Sequence, residues 1–158
     1  MRKIFTVLTL ALCIIFSATA FAEDAEDIIS VGMDSDDNIW GLDSSDVVIE
    51  KNSGGEFIFR ANFVEIFSAK GKKECIDFYR TNGKDVPGLD SVEFCIARVH
   101  FREAGGKIYL APTDMLIYNQ NKELLKELGY TNRAIEWQPV DAKTIGEKMY
   151  QTARKYAK

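Results

Sequence analysis

The chain has 158 residues, 46% of them hydrophobic and 28% charged, with a formal net charge of −4. Those proportions describe a globular protein and exclude a disordered or collagen-like one. An acidic chain with one histidine, His100, is poorly suited to general nucleic-acid binding and cannot build a zinc site from two or three histidines.

The N-terminus reads as an export signal over residues 1–22. Arg2 and Lys3 form a positive start, Ile4 to Phe16 an apolar run, and Ala20-Phe21-Ala22 a small-residue cleavage site. An uncleaved anchor is the alternative, since residues 4–22 carry no charge, but the apolar core is shorter than the ~20 residues a bilayer span needs. Leu12 before Cys13 is too large for a lipoprotein signal. The expected product is periplasmic, cell-surface or secreted, with no stable membrane anchor after cleavage. Removing Arg2 and Lys3 makes it more acidic still, and what remains is the length of one domain at roughly 100–200 residues each.

Two cysteines follow the signal, Cys75 and Cys95. An even count in an exported chain predicts one disulfide between them, closing a loop of ~20 residues and contributing about 3 kcal/mol. Two unpaired buried thiols are the other reading. Neither cysteine belongs to a C-x-x-C pair, so the link is expected to be structural.

Residues 23–37 are acidic, lack apolar periodicity and are expected to form a mobile lead-in to a single domain over 38–158. Ile39 to Leu42 and Val47 to Lys51 read as strands separated by the turn Asp43-Ser44-Ser45-Asp46. Asn52-Ser53-Gly54-Gly55 leads into a strand from Glu56 to Phe67. There Phe57, Phe59, Ala61 and Phe63 alternate with Ile58, Arg60 and Asn62, while Val64 and Ile66 break parity and imply a bulge or a doubly covered end. Lys73 to Arg80 reads as a short helix stopped at Gly83, and Asp85 to Asp90 as a loop. Val92 to Arg102 is the next strand. Gly105-Gly106 makes a two-residue turn that sets Phe101 opposite Leu110 on a strand continuing past Pro112 to Tyr118. Asn119 to Lys122 is a turn, Glu123 to Leu128 a strand despite its helix formers, and Ala134 to Trp137 a last strand stopped by Pro139. Thr144-Ile145-Gly146-Glu147 has capping-box spacing. It opens a helix with Ile145, Met149, Thr152, Ala153 and Tyr156 on one face. The fold class expected is α+β: an antiparallel, meander-like sheet of six to seven strands, a short inserted helix, and a C-terminal helix packed on one face.

Candidate chemistry is sparse. Asp34-Ser35-Asp36-Asp37-Asn38 starts like a calcium loop, but Ile39 and Ser45 stand where that loop needs glycine and glutamate. The paired glycines lack phosphate-loop spacing, and no cofactor is indicated. Arg98, His100 and Arg102 share one strand face, which Arg60 can join from a neighbouring strand. This positive strip is the candidate binding surface for a protein, a carboxylate ligand or an anionic glycan; a solvated face with cross-strand partners is the alternative. The enzyme alternative is a small extracytoplasmic hydrolase using His100 with an acid such as Asp114, although no G-x-S-x-G elbow presents a serine. A structural envelope protein without a diffusible ligand is a third reading.

The order of short motifs resembles the surface-adhesin protein E-like family of small exported bacterial proteins. It runs from Asn38-Ile39-Trp40 and Asp43-Ser44-Ser45-Asp46-Val47-Val48-Ile49 through Phe94-Cys95-Ile96-Ala97-Arg98. It continues with Ile117-Tyr118-Asn119-Gln120-Asn121-Lys122 and ends with Glu136-Trp137-Gln138-Pro139-Val140 ahead of a helix. The resemblance implies an antiparallel sheet with a C-terminal helix on one side, and a non-enzymatic surface protein, some of whose relatives are thought to contact host extracellular matrix. Relatives can tether that helix with a cysteine, and none follows Cys95 here.

Overall fold

The structure, a computed structural model, describes residues 27–83, 86–129 and 135–158. The signal segment, the first four residues of the lead-in, the start of the Asp85–Asp90 loop and Ala134 lie outside the described residues. The described residues form one antiparallel sheet of eight strands with two helices, one of them C-terminal. The strands are β1 (Ile28–Met33), β2 (Ile39–Asp43), β3 (Val48–Ser53), β4 (Glu56–Ile66), β5 (Val92–Ala104), β6 (Lys107–Asn119), β7 (Leu124–Gly129) and β8 (Gln138–Pro139). Helix α1 spans Ala69–Thr81 and α2 spans Ile145–Arg154.

Three long strands, β4, β5 and β6, form the middle of the sheet, and short strands lie end to end along both flanks. On one side β2 pairs with the Phe63–Ile66 end of β4 and β3 with its Glu56–Arg60 end. On the other, β7 pairs with Asp114–Tyr118 of β6 and β8 with Tyr109–Leu110. Pro112, which cannot donate a ladder hydrogen bond, falls in the gap between β7 and β8 and beside a bulge, where that loss is tolerated.

Three expectations are corrected. The count is eight strands, because part of the acidic lead-in forms β1: Ile28 to Met33 pairs with β2, and Ile29 and Val31 pack on the core. The bulge offered for the end of β4 is absent, and Val64 and Ile66 there are half-buried. Its pairing with β5 runs from Glu56↔Ala104 to Ile66↔Phe94 without a shift, so Val64 and Ile66 stay on the face opposite Phe59, Ala61 and Phe63. The last strand is not at Ile135–Trp137, which are irregular, but at Gln138–Pro139, where Pro139 joins it because an edge position asks nothing of its missing N–H. The Gly105-Gly106 turn (φ 57° and 74°) does place Phe101 opposite Leu110.

Register assigns the two sheet faces. Leu42, Phe59, Ala61, Phe63, Ala97, Val99 and Phe101 are buried with Met149, Ala153 and Ala157 of the C-terminal segment. Here α2 presents small residues, and a Cβ on Gly146 would lie 2.8 Å from Leu110 Cδ2, so a close approach replaces interdigitation. Tyr156, expected on the buried side, is 40% exposed. Further along the same face, Cys95 and Ile117 pack with Tyr79 of α1 and with Leu89 and Val92. Residues of both helices thus cluster with side chains of one face. Among the described residues no helix is long and apolar enough to cross a membrane.

Helix α1 begins earlier than its apolar spacing predicts because Ser68 caps it, Oγ accepting from Gly71 N at 3.0 Å. Gly71 stays inside the helix for a packing reason: a Cβ there would sit 2.0 Å from Asn38 Oδ1. Gly71→Ala should destabilise by at least ~2 kcal/mol, read as a fall in urea midpoint. In an Asn38→Ala background the added loss should largely vanish, which a double-mutant cycle checks.

Candidate functional site

The four residues of the predicted strip, Arg60, Arg98, His100 and Arg102, do converge on the helix-free face, with His100 directly opposite Arg60 and Arg98 opposite Asn62. The strip is not a bare positive one, however, because an acid meets each cation. Arg60 Nη1 lies 3.6 Å from Asp46 and its Nε 3.6 Å from Glu50. His100 Nδ1 is 2.9 Å from Glu50 Oε2, and Arg98 Nη1 is 3.4 Å from Asp114 Oδ2. Arg98 Nε also donates to Asn62, which itself donates to Asp46. Arg102 donates to Glu56, a carboxyl held below its usual range by hydrogen bonds from Lys51 and Arg102. The Arg102 guanidinium lies 5.9 Å from the Trp137 ring centroid.

Two single-residue bulges bring two of these acids, Glu50 and Asp114, there. From the Gly54-Gly55 turn, unbroken pairing would set Glu50 opposite Phe59 and therefore toward the core. The shift between Ile49 and Lys51 instead places Ile49 opposite Phe59 and frees Glu50 to reach Arg60 and His100. In β6 unbroken pairing would set Asp114 opposite the buried Ala97. The extra residue Thr113 places Asp114 opposite Arg98 and turns Met115 and Ile117 inward. Asp114 is consequently engaged by Arg98, and the carboxylate on His100 is Glu50, so the His100–Asp114 pairing of the hydrolase reading is not formed. Among the described residues no three His, Cys, Asp or Glu side chains are grouped to hold a metal ion.

The cysteines are also corrected. Cys75 and Cys95 are unbonded thiols, and Cys95 Sγ donates instead to Glu65 Oε2 at 3.3 Å. Burial raises both thiols above their usual range, and the neighbouring Glu65 charge adds to it. Thiolate, the reactive form, is thereby suppressed at both positions.

Glu65 is a feature that composition and spacing did not mark. The unbroken β4 parity carries it to the buried face, opposite Trp40 and Cys95. Asn38 Nδ2 donates to its Oε1 at 2.8 Å and to Asp34 Oδ2 at 3.2 Å, while Asn38 Oδ1 accepts from Ser68 N at 2.9 Å. Trp40 Nε1 completes the network with a 2.9 Å bond to Asp34. Burial pushes the Glu65 carboxyl up to about 7, helped by the negative charge of Asp34 and opposed by the hydrogen bonds from Cys95 and Asn38. Asp34, where the Trp40 and backbone hydrogen bonds outweigh partial burial, is held below its ordinary value.

No family model, curated protein or solved structure matches the chain.

A raised folded-state carboxyl means the native chain binds more protons than the unfolded one between the two pKa values. The Glu65 contribution is therefore complete below about pH 4.5, falls as pH rises toward 7, and is flat above it. The loss should amount to ~3 kcal/mol, and Glu65→Gln should remove it. Subtracting the variant's urea-derived stability curve from wild type between pH 4 and 8 isolates that term. Denaturing mass spectrometry after alkylation should count both Cys75 and Cys95 as free thiols, and native labelling should reach Cys75 before Cys95.

Proposed function

We propose that this chain is an exported, non-enzymatic interaction module, adhesin-like in character, that engages a partner protein through the helix-free face of its sheet. The observation that carries the reading is the asymmetry of the sheet. One face is filled by both helices. The other displays Ile28, Met33 and Ile39 at 38%, 51% and 41% exposure beside the ladder of paired charges. A contiguous exposed apolar area rimmed by charge is the usual appearance of a protein-binding surface.

The pairing within the ladder favours a protein partner over an anionic glycan. A glycan anion would have to displace Glu50, Glu56, Asp46 and Asp114 from their cations. A protein can leave those pairs intact and bury the apolar end. The charge-suppressed thiols are compatible with an oxidising compartment, and export itself rests on the signal features of residues 1–22. His100 is held within the ladder by Glu50, a structural employment that supports the non-enzymatic reading.

A photo-reactive residue at Leu116, on this face, should form a discrete adduct on intact cells. The same residue at Lys73, on the exposed side of α1, should not. Met33→Lys with Ile39→Glu places opposite charges across the β1–β2 pair. It should cut the adduct at least about fivefold while leaving the thermal midpoint nearly unchanged, since exposed substitutions typically stay within about 0.5 kcal/mol. Equal labelling from both positions, or undiminished adduct in the double variant, would reject the assignment.

A further inference from the structure

On the helix-covered face, α2 leaves part of the sheet unfilled. Between α2, the segment 138–141 and the sheet lies a cavity of about 280 Å³. Its floor is Ala97 and Val99, both buried, at positions where the adjacent sheet carries Phe59, Phe63 and Phe101. Trp40, Leu110, Met115 and Met149 form its walls. The space opens to solvent at Asp141 and Thr144, so it is an apolar pocket with an entrance, and an apolar ligand entering it gains by leaving water.

We infer that the cavity is a binding site for a single medium-length aliphatic chain whose head group carries no negative charge. Size sets the chain: an apolar cavity of ~150 Å³ accommodates benzene, so nearly twice that volume suits roughly ten non-hydrogen atoms. The walls are adaptable, because the two thioethers can re-pack around a chain, whereas the Trp40 indole is pinned by its bond to Asp34. Polarity is graded from floor to mouth. Met149, Ala97 and Val99 are buried, while Asp141 and Thr144 at the rim are exposed.

Head-group choice follows from that rim. Asp141 is the one ionisable side chain lining the cavity among the described residues. The α2 N-terminus beside it, which would otherwise attract an anion, is already occupied: Thr144 Oγ accepts from Glu147 N, and the Glu147 carboxylate accepts from Lys143 N. The mouth is therefore negative, and it admits an alcohol or an ammonium in preference to a carboxylate.

The site is tested by titrating octan-1-ol, octylammonium and octanoate below their aggregation limits into the protein, followed by the ε-methyl NMR signals of Met115 and Met149. Saturable shifts are expected with the alcohol and the ammonium, and binding about tenfold weaker with octanoate. Asp141→Asn, at an exposed position, should bring octanoate close to the alcohol. Ala97→Leu should fill the floor and abolish the shifts. Absence of saturable shifts with alcohol and ammonium, octanoate equal to them in wild type, no gain for octanoate in Asp141→Asn, or undiminished binding in a folded Ala97→Leu would each overturn the inference. Should Ala97→Leu fail to fold, the wild-type series and Asp141→Asn decide it.

Discussion

The β4–β5 ladder is the constraint from which the remaining arrangement follows. It pairs the two strands over the whole length of β4 with no shift, so every side chain on them is committed to one face. The phenylalanines and small apolar residues of one parity become the floor for both helices. The arginines, His100 and Asn62 of the other parity are left on the outer face. Nothing in β4 or β5 can be adjusted individually, and the neighbours adjust instead. β3 inserts Glu50 and β6 inserts Thr113, and each inserted residue turns an acid away from the core and an aliphatic side chain into it. The same two irregularities that repair the core therefore also supply the acids that meet His100 and Arg98.

Rigid parity also has a cost at Glu65, which it delivers to the buried side. A buried carboxylate without partners would be strongly unfavourable. The chain answers with Asn38 and Cys95 and with a shifted protonation equilibrium. Asn38 simultaneously receives the Ser68 backbone N–H at the start of α1 and donates to the Asp34 turn between β1 and β2. One amide thus joins the edge hairpin, the central sheet and the first helix, in a network whose members are mutually satisfied.

Much of the fold was legible in the residues because local signals and burial agreed. Alternation in Glu56 to Phe63, the Gly105-Gly106 turn and the Thr144 cap each act over a few positions, and each is found in the structure. What escaped was set by distant partners. β1 looks like an acidic tail until β2 offers it an edge and the core accepts Ile29 and Val31. The helix read from Lys73 extends back through Gly71 to Ala69, since Asn38 occupies the space that a side chain at Gly71 would fill. The strip residues could be grouped by parity, but their acids could not, since simple counting from either turn sends Glu50 and Asp114 to the wrong face. Number and compartment pair the cysteines, whereas Cys95 is bonded to Glu65 on another strand, a partner that counting cannot find.

The contact between Asn38 and Gly71 carries a consequence for how this chain can diverge. A larger residue at the helical position requires a smaller one at the turn position, and a smaller residue at the turn position removes the link to Glu65 and Ser68 together. Neither site has a neutral first step on its own. Descendants of this sequence are accordingly expected either to inherit the asparagine–glycine pair unchanged or to replace it along with the buried acid, as a single unit of drift.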